Sequence, residues 1–161
     1  MSSARALLTD PQFNDVRATI LDNNPGMEPD LAGRILEQAL AFLATCGRYR
    51  TASISPSRVV DEGWHALILH TKLYADLCAT LGGFVHHFPE RPDPLRQTQQ
   101  IIDRTTALIT QAGYTIDAEL WHIPTEELVS VAADCGHTPP GGCGPIGPNP
   151  SPGPMPKNPG Q

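Results

Sequence analysis

The chain is poor in three things that would assign it to a familiar class. Only 6% of its 161 residues are aromatic and 17% charged, and the 11 Lys and Arg are outnumbered by 17 Asp and Glu. Phosphate recognition needs clustered Lys and Arg, so this balance excludes a nucleic-acid surface. The densest basic stretch, Arg48-Tyr49-Arg50 with Arg58 beyond it, reads as a solvated surface. No apolar run approaches the ~20 residues of a membrane span, and the two leucines near the N-terminus are too short for a signal-peptide core. No membrane partner is expected, and the chain reads as cytoplasmic. Four cysteines without a secretory signal do not read as a disulfide framework. Cys46 and Cys78 lie in apolar helical stretches and read as small buried hydrophobes.

Proline and glycine are abundant but unevenly placed. Residues 135–161 hold 9 of the 17 Pro and 7 of the 14 Gly. Such a segment cannot bury enough surface to order itself. The chain therefore divides into a helical domain over 1–134 and a flexible Pro/Gly-rich tail over 135–161. The tail's one charge is Lys157, so the domain carries 10 basic and 17 acidic residues, a net of −7.

Helical periodicity dominates the domain, and start signals recur. Asp10-Pro11 reads as an N-cap and first helical residue, with Phe13, Val16, Ile20 and Leu21 on one face. Glu28-Pro29 opens a second helix that stops at Gly47, and Ser55-Pro56 a third and longest one over Ser57 to Leu81, closed by Gly82-Gly83. Asp93-Pro94 opens a fourth that stops at Gly113. A shorter pattern runs from Thr125 to Ala133, and Ile116 to Trp121 has room for one turn. The segment Gly83 to Phe88 is extended, and alone it makes a connector rather than a sheet. The fold class is all-α, a compact bundle of four to five helices.

Chemistry concentrates in the third helix and the connector after it. Asp61 and His65 are one turn apart and therefore neighbours. A carboxylate beside an imidazole fixes the ring's tautomer, as a metal ligand or a general base requires. On a straight helix this pair shares a polar side with Lys72 and Asp76, opposite an apolar face that holds Trp64, Tyr74 and Cys78. His86 and His87 offer two further imidazoles, of which one at most faces the helix, because neighbours on an extended chain point opposite ways. The helix runs about 24 Å from His65 to Leu81. The connector recovers only about 10–16 Å of it. Both histidines then fall near residues 70–74, and a site with His65 closes only if the connector runs straight back. The candidate metal ligands are Asp61, His65, His86 and His87. Cys135-x-His137-x5-Cys143 in the tail is a secondary set, to which His122 would add a fourth zinc donor.

The run Val60-Asp61-Glu62-x-Trp64-His65-x-x-Ile68-Leu69-x-Thr71-x-x-Tyr74-x-x-x-Cys78, followed by Gly82-Gly83 and His86-His87-x-Pro89, resembles the signature of the glycine-rich domain-containing protein family. The resemblance spans about thirty residues, with a weaker likeness over Leu31 to Leu43 and in the Pro/Gly tail. It implies a helical domain and no established activity, and it favours Asp61, Trp64, His65 and His86 over His70. Two functions fit these residues. The first is a helical binding module for a partner protein, met through the helical surface or the Pro-rich tail, and/or for zinc or another divalent transition metal at the Asp/His cluster. The second is a small metal-dependent enzyme using Asp61, His65 and His86.

Overall fold

The computed structural model describes residues 2–87 and 99–121. Among them are five α-helices: α1 Asp10–Asn23, α2 Pro29–Arg48, α3 Arg58–Leu69, α4 Thr71–Thr80 and α5 Gln99–Gln111. Short 3-10 helices at Ala4–Leu7 and Ala118–Trp121 flank the bundle. The all-α class is as the periodicity predicts, and no β-strand occurs among the described residues. The expected start at Asp93-Pro94, the pattern over 125–133, His122 and the whole tail, with Cys135, His137 and Cys143, lie outside the described residues. No helix among the described residues is long and apolar enough to cross a membrane.

The helix starts follow local chemistry with two small shifts, at α1 and at α3, where Ser57 and not Ser55 is the cap. Thr9, not Asp10, is the N-cap of α1, closing a capping box in which Gln12 Oε1 accepts from the Thr9 amide at 3.0 Å. Asp10 becomes the first helical residue and pairs with Arg5. Pro29 opens α2, and Ser57 caps α3 by accepting from the Val60 amide at 3.2 Å. The Ser57 hydroxyl also donates to the carbonyl of Leu120, which ties the start of α3 to the second 3-10 helix.

Helix α2 is the centre of the molecule. From Gln38 to Cys46 every residue is buried, the pattern of a helix surrounded by others rather than lying on a surface. Its buried amide is fully employed: Gln38 accepts from Trp121 Nε1 at 2.8 Å and donates to the Thr115 carbonyl at 3.1 Å. Helix α3 approaches α2 closely at Gly63, where an added Cβ would lie 2.9 Å from Ala39 Cβ and 3.0 Å from the Ile35 carbonyl oxygen. Only a glycine allows that separation, and it sits midway between Asp61 and His65. Cys78 is buried and free, in line with a small hydrophobe. Cys46 is buried as well but is disulfide-bonded, against the reading of the cysteines.

The single long helix expected over Ser57 to Leu81 is two helices. It breaks at His70, which ends α3 and begins α4 with φ −84° and ψ 66°. The break is anchored across the bundle, where His70 Nε2 meets the Thr19 hydroxyl of α1 at 2.8 Å. The basic stretch lies at the surface, as read, and ties neighbouring segments together there. Arg48 donates to the Ala112 carbonyl at 3.3 Å, and Arg50 to the carbonyls of Gly82 at 3.2 Å and Phe84 at 3.4 Å.

Candidate metal centre

Asp61 sits in the first turns of α3, where the unpaired amides of the helix N-terminus favour a negative side chain. It is not on a solvated face: its side chain has 0% exposure, against 26% for His65 and 9% for His87. His65 Nε2 stands 3.1 Å from Asp61 Oδ2, and His87 Nε2 donates to Oδ1 at 3.1 Å. The two imidazole rings lie against each other, with centroids 4.6 Å apart. One donor atom from each of Asp61, His65 and His87 falls within 4.8 Å of the other two. A buried carboxylate is costly unless partnered, and two imidazoles from different segments partner this one.

His87 arrives on the connector, and three contacts bring it there. Gly82 and Gly83 take positive φ values of 97° and 137°, reversing the chain after α4. The Tyr74 hydroxyl accepts from Trp64 Nε1 at 2.8 Å and donates to the Val85 carbonyl at 2.5 Å. Arg50 grips the carbonyls on either side of Gly83. Burial holds the Tyr74 hydroxyl well above the usual tyrosine range, so it stays protonated and able to donate. Trp64, fully buried, meets the His87 ring edge-on at 4.5 Å.

Of the four ligands suggested by the sequence, the structure brings together Asp61, His65 and His87. His86 points elsewhere, its ring 4.7 Å from that of Phe84. Lys72 and Asp76 do not join the cluster and form their own exposed pair at 2.6 Å. His70 is engaged with Thr19. A straight helix to Leu81 would leave both connector histidines near residues 70–74, but the chain turns at His70 and His87 meets His65. Tyr74 and Val85 were missed as organisers of the site. The available signal was the pair Trp64 and Tyr74 on one apolar face, two aromatic residues whose polar tips need partners when buried.

No curated protein and no solved structure matches the chain. The model of the UCP032817-like family matches residues 5–124, which include all five helices and the Asp61–His65–His87 cluster, and the chain belongs to that family.

Proposed function

We propose that the chain is a helical binding module that holds a divalent transition metal, zinc before others, at Asp61, His65 and His87. The observation that carries this reading is the convergence of three donor atoms within 4.8 Å on a carboxylate shut off from solvent. Imidazole and carboxylate donors suit zinc. A tetrahedral zinc with bonds of about 2.0–2.1 Å spaces its donors roughly 3.3 Å apart. Asp61 Oδ2 stands 3.1 Å from the His65 nitrogen and Oδ1 3.1 Å from that of His87, so the carboxylate turns to bring one oxygen to the ion while each ring gives up its contact with Asp61. Three protein donors leave a coordination position over. It lies toward His65, the most exposed of the three, where water or a side chain of a partner protein completes the set.

The same open position supports the second reading, a small metal-dependent enzyme, with His87 in the place expected of His86. The likeness to glycine-rich domain-containing proteins brings no activity with it, so both readings rest on the side chains themselves.

Elemental analysis tests the proposal directly. Tag-free wild type should carry close to one equivalent of metal after purification or after zinc addition and dialysis. The variants His65→Ala and His87→Ala should carry far less, and His86→Ala as much as wild type. Wild type without metal, and with melting unmoved by added zinc, would overturn the proposal.

A further inference from the structure

The connector poses a choice that its sequence leaves open. Two histidines stand side by side on an extended chain, and only one can face Asp61. The side chains sort as alternation requires: Val85 is buried and His87 nearly so, while Phe84 is exposed with His86 against it. The Tyr74 hydroxyl holds the carbonyl of Val85, two residues before His87. That hydroxyl is itself held by Trp64, a residue of α3 that packs against the His87 ring. Tyr74 thus links the segment that carries His87 to Trp64, the ring against which His87 packs.

We infer that Tyr74 is the positioning residue of the Asp61–His65–His87 cluster: its hydroxyl sets which histidine meets Asp61 and couples metal binding to docking of residues 83–87. The part concerning metal rests on the function proposed above. The part concerning His87 does not. Coupling of this kind is reciprocal, so metal must tighten the connector by the same factor by which the docked connector tightens metal binding.

The experiment uses the full chain, zinc ion as the probe, and Tyr74→Phe, which keeps the ring and removes the hydroxyl. In metal-free protein, amide exchange of residues 84–87 should accelerate in the variant while α2 keeps its protection. Zinc affinity should fall roughly 10-fold, as it does when a group that orients a ligand is lost. Saturating zinc should restore slow exchange in the connector. Unchanged exchange at 84–87, or acceleration spread equally over α2, overturns the inference. So does a variant that binds zinc as tightly as wild type. If wild type binds no zinc, the metal proposal falls, and exchange at 84–87 still decides whether Tyr74 positions His87. Should Tyr74→Phe fail to fold, Arg50→Met releases the carbonyls of Gly82 and Phe84 and must show the same localised acceleration.

Discussion

Asp61 and His87 are 26 positions apart in the chain, yet a carboxylate oxygen of the first accepts from Nε2 of the second at 3.1 Å. The contact closes a loop that contains the break at His70, all of α4 and the glycine reversal. Each of these must be in place before the two side chains meet. The geometry of the cluster is therefore a property of the tertiary fold and not of the one-turn spacing between Asp61 and His65.

The two adjacent histidines should behave differently. Zinc at a hundredfold excess over its dissociation constant should stabilise wild type by about 2.7 kcal/mol. His86→Ala should retain that increment and His87→Ala should lose most of it. Thermal melts with and without zinc measure both.

Asp61→Asn keeps the volume of the side chain and removes its charge. With one acceptor retained between two imidazoles, the metal-free protein should lose about 1–2 kcal/mol. Zinc binding should weaken far more in proportion. Urea unfolding, paired with a zinc titration, separates the two effects.

Gly63→Ala tests the packing beneath the site. The added methyl meets Ala39 and the backbone of Ile35, and backbone cannot swing aside. The expected cost is about 1–3 kcal/mol, read as a lower urea midpoint with an unchanged slope.

Tyr74 gives a pH signature at the alkaline end. Burial raises its folded pKa above the ordinary value, so the native state keeps the proton after the unfolded chain has begun to lose it. Its contribution is complete below the unfolded pKa of about 10 and is lost as pH rises from there toward the folded value. Wild-type stability should therefore fall more steeply than that of Tyr74→Phe above about pH 10. Denaturant midpoints across that range measure the difference.

Much of the fold was legible because its cues are local. Pro29, Ser57 and the glycines at 82, 83 and 113 act within a few residues of where they stand. The break at His70 had no such cue. Leu69-His70-Thr71 contains no proline or glycine, and the apolar stripe runs through it, so the anchoring hydroxyl of Thr19 on another helix was out of sight. The burial of Asp61 was hidden for the same reason: its cover is the connector, placed by Tyr74 and Arg50. Sequence spacing could say that one of His86 and His87 faces inward. It could not say which, since the phase depends on a hydrogen bond to a backbone carbonyl.

The bond between Trp121 and Gln38 also bears on how the molecule assembles during synthesis. The two residues are 83 positions apart, and Gln38 lies at the heart of α2. A nascent chain can bring α1, α2 and α3 together early, as N-terminal segments emerge first. The amide of Gln38 then waits in a half-closed interior until Trp121 has left the ribosome. Ser57 waits with it, because the carbonyl of Leu120 comes one residue before Trp121. The turn of α3 that carries Asp61 thus draws one of its ties from the C-terminal end of the described chain.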